Sequence, residues 1–329
     1  MSMFARRSFL IGAALAPLAP APAHAQASST QVWPARPVML IIPFPAGGAM
    51  DLLGRGVAQD LADKLGQQFV VDNRAGAAGN IGAMAAAKAS PDGYTILMAG
   101  AASLALNKFM FSNMPYDPET ELTPIVILSR LPHIFVVNAK VEAKTLKELV
   151  DYAKTNPGKL SAGVPGVGTT AHITLEAFMA ETGAKMTVVP YRSEPQMLTD
   201  LVGGQLDFAC TLTTSPGPHI QAGRLRALAV TSAARTQQLP DVPTVEQAGF
   251  PGFEATAWFA LAVPTGTPAE IIAKINAAAN AFIRSAKGKE ELSKLDSLPA
   301  GGTPEETKAF IAAEVRKWAP IIKAAKIQM

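Results

Sequence analysis

Val38-Met39-Leu40-Ile41-Ile42-Pro43-Phe44-Pro45-Ala46-Gly47-Gly48-Ala49-Met50-Asp51 opens the folded part of the chain and sets its class. The first five residues form a continuous apolar run, as a parallel strand covered on both faces requires. Pro43 to Gly48 break the run. A helix is then expected from about Asp51 to Leu65, with Leu53, Val57, Leu61 and Leu65 recurring every fourth residue along one face. Asp51 suits an N-cap or first-turn position and Gly66 a stop.

The same strand, glycine loop and helix recur downstream. Phe69-Val70-Val71 reads as a strand, Gly76-Ala77-Ala78-Gly79-Asn80 as a loop, and residues 81–89 as a helix. Pro91-Asp92-Gly93 is a turn before a strand over residues 95–98. A second series begins with a strand at 134–137. Thr145 and Glu148 then form a capping box for a helix that Asn156-Pro157-Gly158 ends. It continues with a strand at 160–164, the loop Pro165-Gly166-Val167-Gly168, and a helix from Thr169 to about Thr182. Strands follow at 186–189, 206–209, 225–230 and 258–263. Two final helices are expected behind capping boxes, Thr267 with Glu270 and Thr303 with Glu306. The alternation predicts an α/β protein of two domains, each a mixed, mostly parallel sheet flanked by helices.

The amino terminus has the form of an export signal. Arg6 and Arg7 precede an apolar stretch over residues 8–23, and Ala23-His24-Ala25 is a small-x-small cleavage site. The stretch is too short and too proline-broken to span a bilayer. Residues 1–25 are therefore expected to be a signal peptide, with the mature chain starting near Gln26 and residing in the periplasm. Arg6-Arg7-Ser8-Phe9-Leu10 resembles a twin-arginine signal; an ordinary secretory signal is the alternative. The chain carries 29 Lys+Arg against 26 Asp+Glu, and Arg6 and Arg7 make up most of that excess. A mature protein so near neutrality carries no electrostatic footprint for nucleic acid or acidic lipid. Cys210 is the one cysteine, so no intramolecular disulfide forms, and its place directly after the apolar strand-like run over residues 206–209 marks a buried structural thiol.

Two loops carry the chemistry. Residues 43–51 and 163–170 each join a buried strand to a helix start through glycines. Glycine lets the backbone present successive N–H groups, and with the positive helix end these form an anion site. One such loop lies in each half, so that across a cleft they would hold the two ends of a dicarboxylate or close on one carboxylate. Of Thr169 and Thr170, one is expected to cap its helix and the other to face the cleft; the sequence does not say which. Enzymatic signatures are missing. The histidines outside the signal, His133, His172 and His219, lack metal-site spacing. There is no Gly-x-Ser-x-Gly elbow, and the Gly163-Gly166-Gly168 spacing fits neither a phosphate loop nor a dinucleotide loop. His172 is either a pocket residue or a packing one, and Asp207 either a ligand contact or a helix cap. No cofactor and no metal are expected.

Residues 42–51, Ile-Pro-Phe-Pro-Ala-Gly-Gly-Ala-Met-Asp, resemble the first ligand loop of the substrate-binding proteins of tripartite tricarboxylate transporters, the Bug receptor family. The resemblance continues through residues 71–82, Pro91-Asp92-Gly93-Tyr94-Thr95, Met114-Pro115-Tyr116-Asp117, Val189-Pro190-Tyr191-Arg192, Gly203-Gly204-Gln205-Leu206-Asp207 and Val242-Pro243-Thr244-Val245. It spans essentially the whole mature chain, with the motifs in one order. It implies a type II periplasmic-binding-protein fold, with domain 1 over residues 32–125 plus 252–329 and domain 2 over 126–251. It also implies a small carboxylate bound in the interdomain cleft, partly through water. The residues it carries over are Phe44, Ala46 and Gly48 from the first loop, and Ser103 and Asn107 after the third strand. From domain 2 come Gly168, Thr169 and Thr170, completed by Ser193 and Asp207. Ser193 stands where the family often has glycine, Leu104 and Ala105 where many members have histidine, and Lys108 where the family has proline. These departures leave the identity of the acid open, and Glu194 would repel a second carboxylate if it faced the cleft.

The function this implies is a monomeric periplasmic receptor, not an enzyme, that delivers an organic acid to integral-membrane transporter subunits. A sensory receptor for a signalling partner and a periplasmic hydrolase or isomerase on the same fold are the alternatives. The domains are expected to meet only through crossover strands and to close on ligand as a hinge.

Overall fold

The computed structural model describes residues 33–329. The expected signal peptide, its cleavage site and the first residue assigned to domain 1 lie outside these. In chain order the elements are β1 (Val38–Ile42), α1 (Ala49–Leu65), β2 (Phe69–Asn73), α2 (Asn80–Ala87), β3 (Thr95–Gly100) and β4 (Leu122–Asn138). Next come α3 (Leu146–Thr155), β5 (Ser161–Val164), α4 (Thr170–Thr182), β6 (Thr187–Pro190), α5 (Glu194–Gly203), β7 (Phe208–Leu212), α6 (Gly217–Gln221) and β8 (Leu225–Val230). The chain ends with β9 (Thr256–Pro264), α7 (Ala269–Arg284), α8 (Ala286–Lys294), β10 (Leu298–Gly301) and α9 (Pro304–Ala324).

The strands form two mixed sheets that share β4. In the first lobe the order is β2-β1-β3-β9-β4-β10, with β1, β2 and β3 parallel and β9, β4 and β10 antiparallel to their neighbours. In the second it is β6-β5-β7-β4-β8, where β5 lies parallel to β6 and β7, and β4 antiparallel to β7 and β8. The sequence suggested only a short strand at 134–137; the structure shows a strand of 17 residues that pairs in both lobes. Its two prolines explain why it is hard to see. A proline removes a ladder donor and is tolerated at irregularities. Pro124 lies at a register shift against β9. Pro132 pairs with Thr256 at the last position facing β9, just before pairing with β7 begins at His133. The chain returns from the second lobe through residues 231–255.

Local signals set the elements. In α1, Leu53, Val57 and Leu61 are fully buried, and Gly66 ends the helix at φ 75°, its N–H bonded to the Ala62 carbonyl. Helix α1 begins two residues earlier than expected, with Gly48 as N-cap and Asp51 in its first turn. The Thr303–Glu306 capping box forms in full. The Thr267–Glu270 box does not: the Thr267 hydroxyl turns back to the Pro264 carbonyl at 2.7 Å, and α7 starts behind Pro268 without a side-chain cap. Helix α8 and strand β10, absent from the sequence reading, lie between the two expected terminal helices.

Side chains of both lobes share one core. Phe135 of β4 meets Phe178 of α4, Phe208 of β7 and Phe253 of the return segment, with ring centroids 4.7, 5.4 and 6.3 Å apart. Cys210 is fully buried on β7, where loss of hydration pushes its thiol pKa up. The crossovers are not the only junction between lobes. Helix α9 packs against both β4 and α4, and Met329 reaches Gly168 at the start of α4. No helix among the described residues is long and apolar enough to cross a membrane.

Candidate functional site

The carboxyl ends of parallel strands are where open α/β sheets bind ligands. Here β1, β2 and β5 each deliver a helix from that end, and the starts of α1, α2 and α4 converge on one cavity of about 320 Å³. Phe44 and Met50 come from the first loop, Ala78 from the second, and Val167, Gly168, Thr169 and Thr170 from the third. Gly100–Ala102 after β3, Ala257–Phe259 of β9 and Met329 complete the wall. A volume of roughly 300–1,000 Å³ is usual for small-molecule sites.

The first turns of helices hold N–H groups with no intrahelical partner. Among the described residues nothing accepts from the amides of Ala49 and Met50 at α1, or of Thr170 and Ala171 at α4. These unpaired donors and the positive helix ends give an anion its natural place.

Asp51 fixes the first loop. Its side chain is 3% exposed and accepts from the Gly47 amide at 2.9 Å, Arg55 Nε at 3.0 Å and Asn73 Nδ2 at 2.9 Å. Asn73 Nδ2 also donates to the Phe44 carbonyl at 3.1 Å. Burial alone would raise the Asp51 pKa. The hydrogen bonds from Arg55, Gly47 and Asn73 outweigh it and hold the carboxyl at about 2. The loop is thus tied at both ends to one buried carboxylate.

The second loop carries backbone strain. Ala77 and Ala78 adopt φ of 47° and 52°, the left-handed region that costs a non-glycine residue roughly 1–2 kcal/mol. Asn107 holds it there: its Nδ2 donates to the Ala78 carbonyl at 3.1 Å and to Asn80 Oδ1 at 2.6 Å. Asn107 is buried behind the loop and acts on the cavity through Ala78.

The third loop divides its threonines. Thr169 is the N-cap of α4: its hydroxyl accepts from the His172 amide at 3.2 Å and donates to the Gly166 carbonyl at 3.0 Å. The Thr170 hydroxyl lies 3.0 Å from Nε2 of His133. His133 is buried on β4, and loss of hydration lowers its pKa to about 4, against a smaller opposing effect of the Ala255 carbonyl. Its imidazole is neutral at physiological pH. His172 turns away from the cavity: Nδ1 accepts the Gly168 amide at 3.1 Å and Nε2 lies 3.6 Å from Glu176.

Over residues 53–327 the chain matches the sequence profile of the tripartite tricarboxylate transporter family receptor. The chain belongs to this family. Protein BugT of Bordetella pertussis is 37% identical over 298 residues, 90% of this chain and 91% of that one. The solved structure of R. palustris Rpa4515 with adipate superposes with a TM-score of 0.79 at 37% identity, covering 90% of this chain and 99% of that one. MatC (Rpa3494) from Rhodopseudomonas palustris with bound malate gives 0.75 at 28% identity, covering 88% and 100%. The fold is that of the family's two-domain type II binding proteins.

Of the residues that the sequence nominated in this receptor, the structure brings Phe44, Gly168, Thr169 and Thr170 to the cavity wall. Ala46 and Gly48 sit in the exposed part of the first loop and do not line the cavity. Ser103 is buried and closed on its own turn, its hydroxyl donating to the Gly100 carbonyl at 3.2 Å. Ser193 is exposed at the start of α5 and also lies outside the lining. Asp207 precedes β7, at the opposite end of the strand from the cavity. It accepts from the amide and hydroxyl of Ser161 at 2.8 and 2.7 Å and borders a separate groove with Glu142, Glu148 and Tyr152. Glu194 accepts from the Thr211 hydroxyl and faces another cavity, beside Ser215 and His219. The sequence reading missed Met50, Ala78, Trp258, Phe259 and Met329. Ala78 had a signal, since residues 76–80 repeat the glycine loop before a helix. The β9 residues had none, because a strand of nine mostly apolar residues does not say which faces a ligand.

The two threonines are separable. Thr169→Ala is expected to cost about 1 kcal/mol of stability through the lost cap. Thr170→Val should weaken acid binding about tenfold, the equivalent of about 1.4 kcal/mol. Denaturant titration and calorimetry of both variants check the assignment. An affinity loss confined to Thr169→Ala would reverse it.

Proposed function

We propose that this receptor captures a small organic acid in the cavity between its lobes and delivers it, chemically unchanged, to the membrane subunits of a tripartite transporter. The observation that carries the reading is that helix starts from both lobes line one cavity, with unpaired backbone donors at α1 and α4. Among the described residues the lining contains no histidine, cysteine, carboxylate or cationic side chain. Among the described residues, Thr170 with His133 behind it is the one pair at this wall that joins a hydroxyl to a base, and no further acid or base lines the cavity, which supports binding over turnover. The adipate and malate held by two relatives support a small carboxylate as cargo.

We divide the receptor into domain 1 (32–125 plus 252–329) and domain 2 (126–251), joined through β4 and the return segment. Ligand contacts to both lobes would favour the closed arrangement through differential affinity. Because α9 and Met329 already touch the second lobe, opening separates more than two crossover strands. The exported, mature protein acts as a monomer in the periplasm and uses no cofactor.

Melting temperatures measured against a panel of acids, sugars and cations test the reading, since a ligand stabilises the folded state by RT ln(1 + [L]/Kd). Organic acids should raise the melting temperature and be recovered intact. A panel in which only sugars or cations raise it, or in which the acid is converted to product, overturns the proposal.

A further inference from the structure

The polar groups of the cavity define which acids it accepts. Among the described lining residues, three have side chains that carry nitrogen or oxygen atoms: Thr169, Thr170 and Trp258. Thr169 is committed in both directions, donating to Gly166 and accepting from His172. Trp258 spends its single donor on Glu314, whose Oε2 takes Nε1 at 3.0 Å. Among the described side chains of the wall only Thr170 retains capacity, and it shares its hydroxyl with His133. The Gly100 carbonyl, at the end of β3, is taken by Ser103. The unpaired donors are the amides at the helix starts, placed for a carboxylate. The rest of the wall is Phe44, Met50, Val167, Phe259, Met329 and a set of alanines.

From this distribution, and resting on the receptor reading above, we infer that the cavity selects acids whose body is plain hydrocarbon and discriminates against hydroxy acids. A methylene or phenyl group against this wall is removed from water at a gain. A hydroxyl against the apolar part of this wall loses its water and meets no free side-chain partner there, a penalty that corresponds to about ten- to a hundredfold in affinity. An apolar pocket rejects an added hydroxyl by about that factor and no more. The discrimination is therefore graded, and it falls on the ligand body, not on the carboxylate.

Matched pairs differing by one hydroxyl isolate the effect: succinate with malate, glutarate with 2-hydroxyglutarate, adipate with 3-hydroxyadipate, and benzoate with 4-hydroxybenzoate. Each is titrated calorimetrically into the wild-type mature protein and into Val167→Thr. That nearly isosteric change sets a hydroxyl on a wall position that is 39% exposed and so tolerant of substitution. In the wild type the hydroxylated member of every pair that binds is expected to be about ten- to a hundredfold weaker. Val167→Thr should narrow at least one gap severalfold, because it gives the added hydroxyl a partner in the wall. A hydroxy acid binding as tightly as its parent overturns the inference and leaves the receptor reading standing. A gap that Val167→Thr leaves unchanged in every pair overturns the placing of the selectivity in this wall. Failure of all the acids, hydroxylated or not, overturns the receptor reading and the inference with it.

Discussion

Trp258→Ala is expected to lower folding stability by about 3–5 kcal/mol, the usual cost of truncating a fully buried indole. Trp258 is 0% exposed and sits in β9 opposite Arg130 of β4, within the stretch where these strands bind the first lobe together. Its ring meets Phe310 of α9 edge-on, with centroids 5.6 Å apart and planes at 75°. Its Nε1 shares Glu314 with Nε1 of Trp318, at 3.0 and 2.9 Å. Alanine would leave a cavity against α9 and remove one of the two donors to that carboxylate. The same residue forms part of the ligand wall, so acid affinity should fall as well. Trp258→Phe keeps most of the apolar volume and loses the N–H, and should cost about 1–2 kcal/mol. Urea titrations of the three proteins decide it. A loss below about 1 kcal/mol for the alanine variant would show that the site collapses around the missing ring.

Asp51→Ala should cost about 2–3 kcal/mol of stability, because charge-assisted hydrogen bonds are worth about 1.5–3 kcal/mol each and two of the three donors can recover solvent. Arg55 is half-exposed and Gly47 lies in an exposed loop, whereas Asn73 keeps only its bond to Phe44. The larger consequence is functional. The loop that presents Phe44 and the start of α1 loses its anchor, and acid affinity should fall by about tenfold or more, equivalent to at least about 1.4 kcal/mol. The effect depends on pH in a defined direction. The folded value of about 2 lies below the ordinary 3.8, so the carboxylate's contribution is complete above about pH 4 and is lost as pH falls through 2. The gap of nearly two units corresponds to about 2 kcal/mol. Urea titrations from pH 2 to pH 6 should show wild type and variant converging at the acid end. Curves that stay parallel would remove Asp51 as the source.

The parts of the fold legible in the sequence are those set locally. The β1 run, the four-residue spacing in α1 and the Thr145 and Thr303 caps are decided within one turn or strand. The glycine loops belong to the same class, since glycine at a strand-to-helix turn and the helix start behind it are neighbours in sequence. That is why the two loops, with Thr169 and Thr170, could be read from the glycines, whereas Phe44 was singled out by the family resemblance. What remained illegible depends on partners distant in sequence. Strand β4 holds two prolines and still runs through both lobes, because β9, β7 and β8 arrive to pair with it. Ser103 and Asn107 carry groups that the resemblance assigns to a ligand, and Thr267 a hydroxyl that the sequence assigns to a helix cap. Each instead satisfies a nearby backbone carbonyl that only the folded turn brings into range. Asp207 offers a different lesson. The sequence reading placed it inside a strand at 206–209, whereas β7 begins at Phe208 and leaves Asp207 at the amino end, away from the carboxyl ends of parallel strands where binding crevices form.

The central claim is that a carboxylate sits among the helix starts of both lobes. A crystal structure of the mature protein grown with adipate tests it most directly. One carboxylate should lie within hydrogen-bonding distance of the Thr170 hydroxyl and the free amides at the starts of α1 or α4, with the methylene chain against Phe44, Trp258 and Phe259. Adipate in the groove beside Asp207 and Tyr152, with this cavity holding only water, would contradict it.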